Sequence, residues 1–114
     1  MVQTAQAAFG TLQSFASSSM SSSYQALGNP ITAPARIIKI LNNSNKDVTV
    51  STDGTTDMDY VPAGGFVLYD LQTNSTLPDW QLSFALATQF YVKGTSGTGN
   101  IYLTTVGASK FGVA

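Results

Sequence analysis

From Ala35 onward, apolar and polar residues alternate with a period of two, the pattern of strands that bury one face. Ala35–Leu41, rich in Ile, predicts a strand closed by the turn cluster Asn42-Asn43-Ser44-Asn45. Asp47–Ser51 follows, with Val48 and Val50 on one face. Asp53-Gly54 is a hairpin signal, because a type I′ turn needs positive φ at both central positions. The alternation resumes at Met58–Val61, with Met58 and Tyr60 expected inward and Asp57 and Asp59 outward. Pro62-Ala63-Gly64-Gly65 interrupts it before the next strand, Phe66–Leu71. Beyond a loop through Asn74–Pro78, Leu82, Phe84 and Leu86 alternate, as do Phe90 and Val92, and Thr95–Gly99 predicts a hairpin into Ile101–Val106. About seven short strands with no helical period between them predict an all-β fold, an antiparallel β-sandwich or jelly roll.

Residues 1–34 read differently. They are dominated by Ala, Ser and Gln and end in Gly28-Asn29-Pro30 and Ala33-Pro34. Phe9, Leu12, Phe15, Met20, Tyr24 and Leu27 recur at intervals of three to five, which predicts one face of a helix, best over residues 4–16. Ser17–Ser23 is a poor helix interior, since Ser side chains compete for backbone hydrogen bonds, and predicts an extended stretch. The expectation is an N-terminal arm, 1–34, with a short helix and a Ser-rich extended part, preceding a β domain at 35–114. So few large apolar residues cannot offset the ordering entropy of an isolated arm. The arm is therefore expected to lie against a neighbouring subunit or another protein through those six residues; the alternative is an N-terminal helix packed on the chain's own β domain.

Composition narrows the chemistry. The chain has 114 residues, one domain by length, and only 10% are charged, against about 25% in typical soluble domains. All the charges fall after Ala35, and there is no His, Cys or Glu. No imidazole base, thiolate nucleophile, disulfide or zinc site can be built from this set. A net charge of −1, with Arg36, Lys39, Lys46, Lys93 and Lys110 scattered, argues against nucleic-acid binding. No stretch approaches the ~20 apolar residues of a spanning helix, and the first residues lack the pattern of a secretory signal. The expectation is therefore a protein made in the cytoplasm that does not enter a membrane. So little surface charge favours an oligomer or an assembled subunit over a free monomer.

The acidic cluster Asp53, Asp57 and Asp59 is the candidate cation site, since neighbouring carboxylates can converge on Ca²⁺; the competing reading is a solvated hairpin. Paired carboxylates for glycoside hydrolysis would need a pocket that nothing in the sequence provides. Gly94–Asn100 lacks the Gly-Lys-Ser/Thr ending of a phosphate-binding loop, and no His is present to activate a Ser nucleophile. Without a secretory signal, the triplets Asn42-Asn43-Ser44 and Asn74-Ser75-Thr76 carry no weight as glycosylation sites. The expectation is a non-enzymatic protein with no cofactor. Tyr69, Trp80, Tyr91 and Tyr102 are candidate surface anchors, for subunits or for carbohydrate.

Ala35–Asn43, Val48–Gly54, Asp57–Leu71, Gln89–Thr95 and Gly99–Val106 together resemble small virion structural proteins of tailed bacteriophages. The resemblance implies a β-sandwich subunit of the particle, either a head decoration or cement protein or a neck or tail adaptor. Its implied partners are major capsid, portal or tail proteins and further copies of itself, and its implied location is the virion. It brings no catalytic motif. The alternative is a carbohydrate-binding or adhesive module of a fibre that uses Trp80 and exposed tyrosines.

Overall fold

A computed structural model describes residues 5–71 and 84–110, with side chains described over 7–71 and 84–107. The strands are β1 (Ala5–Phe9), β2 (Gln13–Ala16), β3 (Gln25–Ala26), β4 (Ile37–Ser44), β5 (Val48–Ser51), β6 (Asp59–Val61), β7 (Phe66–Asp70), β8 (Tyr91–Gly94) and β9 (Gly99–Lys110). They form two antiparallel sheets. In the first, β1 and β2 share one edge of β9, followed by β4 and β7; the second runs β3-β8-β5-β6. The pairings nest: β5 with β6, β4 with β7, β3 with β8 and β2 with β9. The chain is thus one long hairpin folded over, and β4–β9 and β5–β8 pairs knit its turns together.

Period-two alternation puts Ile38, Ile40, Ile101 and Leu103 of the first sheet against Val48, Val50, Val61 and Val92 of the second, in one shared core. Asn42 is buried among them and joins the sheets. From β4 its amide donates to the carbonyls of Lys46 (2.8 Å), Val61 (3.0 Å) and Pro62 (3.2 Å), while its own oxygen accepts from the Ser44 hydroxyl. A polar side chain is tolerated at this depth because every group on it is bonded.

The N-terminal residues do not form a separate helical arm. The helix expected over 4–16 is replaced by β1 and β2, and the helical content nearby is a single 3-10 turn at Ser17–Ser19. Met20, Leu27 and Ile31 lie in the shared core, with Leu27 bonded from its N–H to the Phe90 carbonyl at 2.8 Å. The helical spacing was a strand pattern shifted by a bulge. Phe9 faces Val106 and Gln13 faces Leu103, so three residues of the N-terminal strand oppose two of β9. That extra residue aims Phe9 outward and Phe15 toward the core, although a regular strand would put both on one side. Gly10 sits at the bulge, where a Cβ would collide with the Thr105 hydroxyl.

Other expectations change as well. Thr95–Thr98 is a crossover between sheets and not a hairpin, because β8 and β9 belong to different sheets. Of the alternation at Leu82, Phe84 and Leu86, Leu82 lies outside the described residues, Phe84 makes a bridge with Ala35, and Leu86 is exposed. Asp53-Gly54 does turn the chain between β5 and β6, but Gly54 alone has positive φ (79°) and the connection runs Thr52–Met58. Val61 points into the core, so parity turns Tyr60 outward and Asp59 inward, the reverse of the expected faces; Met58, just before the strand, is also exposed.

Leu27→Ala is expected to lower the unfolding free energy by about 2–5 kcal/mol in a denaturant titration. A free arm would give no change.

Candidate docking surfaces

The two sheets turn unlike faces outward. On the first sheet, register sets the outward residues in rows across the strands. Phe9, Val106, Ile37 and Asp70 form one row. Thr104, Lys39 and Leu68 form the next, and Ser14, Tyr102, Leu41 and Phe66 the third. Leu12 is exposed beside them at the break between β1 and β2. Phe9 is 76% exposed, Phe66 63% and Leu68 51%, while the residues on β4 and β9 are half-buried between these flanking side chains. Among the described residues these three rows are apolar apart from Lys39, Asp70 and the hydroxyls of Ser14, Tyr102 and Thr104, and the face turns polar in the next row at Asn43 and Asn100. An exposed apolar patch on this scale marks an interaction site more often than a solvated surface.

The second sheet presents Thr49, Tyr60, Tyr91 and Lys93 outward, and Tyr60 and Lys93 are bonded to neighbouring carboxylates. Tyr60 donates to Asp47 at 2.6 Å, and Asp47 also accepts from the Ala63 N–H at 2.8 Å. Tyr24 donates to Asp57 at 2.6 Å, and the same carboxylate oxygen meets Lys93 Nζ at 2.9 Å. The Lys93 ammonium lies 4.7 Å from the centre of the Tyr24 ring, a cation–π contact. The Tyr60 hydrogen bond holds the Asp47 carboxyl below its ordinary range, and the Tyr24 hydrogen bond does the same for Asp57. Burial, and then the Asp57 hydrogen bond, push the Tyr24 phenol up to about 12.

The candidate cation site at Asp53, Asp57 and Asp59 does not assemble. Asp53 is consumed by its own turn, accepting from the N–H groups of Thr55 (2.8 Å) and Thr56 (2.7 Å) and from Ser51 Oγ (2.7 Å). Those bonds, led by the Thr56 N–H, lower its pKa strongly. Asp57 serves Tyr24 and Lys93, and Asp59 accepts from the Tyr69 hydroxyl at the mouth of the core. Among the described residues no group of three carboxylates could hold a metal ion. A mouth of about 230 Å³ opens there, lined by Val50, Met58, Asp59, Tyr69, Phe84 and Phe90, with its carboxylate already bonded.

The candidate contact residues divide. Phe9 and Leu12 are exposed, whereas Met20 and Leu27 are buried in the chain's own core and Phe15 packs against it. Tyr24 is tied to the second sheet through Asp57. Among the tyrosine anchors, Tyr102 lies on the outer face of the first sheet and Tyr91 on that of the second, under the Gly54 turn. Tyr69 turns inward beside Phe84, with ring centres 5.9 Å apart, because it pairs with the buried Ile38. Trp80 lies outside the described residues. Sequence reasoning missed Ile37, Leu41, Phe66, Leu68 and Val106 as surface residues. Phe66-Val67-Leu68-Tyr69 is apolar at consecutive positions, and such a run signals a strand with two apolar faces.

No protein-family model, curated protein or solved structure matches this chain. No helix of the described residues is long and apolar enough to cross a membrane.

Two outcomes are expected. A phenol whose pKa rises on folding stabilises the fold fully below its unfolded value of 10, and that contribution is lost as pH climbs through about 12. Spectroscopic titration should find Tyr24 ionising near 12, and Asp57→Asn should move it down while the burial contribution remains. Added Ca²⁺ should leave the melting temperature unchanged, because Asp53, Asp57 and Asp59 are each engaged elsewhere; a rise that depends on Asp57 and Asp59 would show a cation site.

Proposed function

We propose that this chain is a non-enzymatic structural subunit of a tailed-bacteriophage particle, a capsid decoration or cement protein or a neck or tail adaptor. It works by docking on neighbouring virion proteins. The observation that carries the reading is the contrast between the faces: one outer face is apolar, while the other is hydrogen-bonded and charged. A subunit embedded in an assembly needs such a division, with one side for contact and one for solvent.

The docking element is redrawn from the sequence expectation. Phe9 and Leu12 contribute to the contact as part of a sheet face, and the segment from Gln13 to Ile31 is reserved for the chain's own fold. The nested pairings β2–β9, β3–β8, β4–β7 and β5–β6 support a jelly roll, an architecture found in viral capsid and lectin domains alike. Fold alone does not give function, so the weight rests on the surfaces. The absence of His, Cys and Glu, and the engagement of Asp47, Asp53, Asp57 and Asp59 in internal hydrogen bonds, support a role without catalysis.

The protein is expected to co-band with purified particles of the phage that encodes it, detected by mass spectrometry. Phe66→Asp combined with Leu68→Asp should lower its copy number per particle several-fold while the purified variant keeps its circular dichroism spectrum. Absence of the chain from particles, or incorporation of the double variant at the wild-type level, would overturn the proposal.

A further inference from the structure

We infer that the cavity between the sheets, with Asp59 and Tyr69 at its mouth, is a binding site for a small amphipathic cation. An aromatic group of the guest enters the core, and its ammonium stays at the rim beside Asp59. Such a guest leaves both outer faces open to partners.

Space comes first. The cavity measures about 230 Å³, with Val50 and Phe90 of the buried core at its floor. Asp59, Tyr69 and Phe84 are half-buried above them, and Met58 is exposed at the rim. An apolar cavity of about 150 Å³ takes up benzene, so this one has room for a ring and a short chain, roughly ten non-hydrogen atoms. Tyr69, Phe84 and Phe90 follow one another with ring centres 5.9 and 5.6 Å apart and planes inclined by 61° and 58°. Inclined rings are the arrangement that aromatic groups prefer, and an aromatic guest extends that series.

Charge decides the other end of the guest. Asp59 turns inward from the edge strand β6, opposite Val50. Its oxygens accept from two neutral donors, the Tyr60 N–H at 2.8 Å and the Tyr69 hydroxyl. A carboxylate has about four acceptor positions, so a further donor can be taken, and neither bond compensates the negative charge. Among the described residues no Lys or Arg forms an ion pair with Asp59 or lines the cavity; Lys93 pairs with Asp57. A neutral or anionic guest would cover this carboxylate and remove its water without replacing it. An ammonium replaces that water with charge-assisted hydrogen bonds.

Other occupants fit less well. A Ca²⁺ ion would find one carboxylate where it needs six to eight oxygens. A lysine side chain carries its ammonium at the tip, and would bring the charge to the apolar floor before covering its stem. An inward charge on an edge strand also discourages pairing with a foreign strand, but that purpose is served equally well with no cavity beside it.

The test uses the full chain, with phenethylamine as the probe in an amide NMR titration at neutral pH. Saturable shifts are expected at Val50, Asp59 and Phe90, and none at Lys39 or Thr104 on the outer face of the first sheet. Phenylpropionate, with a similar body and the opposite charge, should bind at least ~10-fold more weakly, and phenethyl alcohol should fall between the two. Raising NaCl from about 50 to about 500 mM should weaken binding of the amine and leave that of the alcohol in place. These comparisons need no variant. Asp59→Asn keeps an acceptor for Tyr69 and removes the charge, and should bring amine and alcohol to within about 2-fold of each other. The inference is overturned by a lack of saturable shifts at the mouth, by phenylpropionate binding as tightly as the amine, or by equal salt effects on amine and alcohol. A preference for the amine that persists in folded Asp59→Asn would overturn it as well.

Discussion

Strand β9 is the interaction on which the rest of the molecule depends. One of its edges pairs with β4 from Gly99 to Val106, and the other takes β2 and then β1 as far as Lys110. The two ends of the chain are thereby locked together. Without β9, β4 and β7 would remain a two-stranded ribbon, and β1 and β2 would lose the strand they pair with. Such a strand pair is marginal in water, so the sheet and the N-terminal segment form together or not at all. The pairings are mostly non-local, and loop closure must precede the contacts that reward it.

Because β4 and β9 are central strands with large apolar residues on both sides, Ile37, Leu41 and Val106 outward and Ile38, Ile40, Ile101 and Leu103 inward, the sheet they build has two faces to bury. The inner face meets the second sheet across Ile38, Ile40, Ile101 and Leu103. On its outer face Phe9, Phe66 and Leu68 stand exposed. The second sheet avoids the same problem in a different way: Tyr60 and the neighbouring Tyr24 satisfy their hydroxyls with Asp47 and Asp57, so these aromatic rings remain compatible with water.

Much of this was legible in the alternation of residues 35–106. The Ile-rich strand, the Val48–Ser51 strand, the Asp-Gly turn and the long final strand fall close to their expected places, because each has an unambiguous period of two. What failed had physical causes that pattern alone does not carry. The bulge at Gly10–Leu12 converts a strand rhythm into spacings of three, and it is specified by close approach to Thr105, a residue at the far end of the chain. The sheet change between β8 and β9 follows from which strands already occupy each edge, which Thr95–Gly99 does not encode locally. The three acidic residues looked like a cluster because they are near in sequence, yet each has different partners: Asp53 its own turn, Asp57 Tyr24 and Lys93, and Asp59 Tyr69.

Scarcity of charge is therefore better understood as segregation of charge. Asp47, Asp53, Asp57, Asp59 and Lys93 belong to the second sheet and its connections, where hydrogen bonds and the Lys93 ion pair occupy them. Among the residues with described side chains, the charges on the outer face of the first sheet are Lys39 and Asp70. A uniformly uncharged surface would associate without direction. Here the polar groups are spent on one side, so only the other side gains by leaving water, and the sandwich acquires an orientation before any partner is specified.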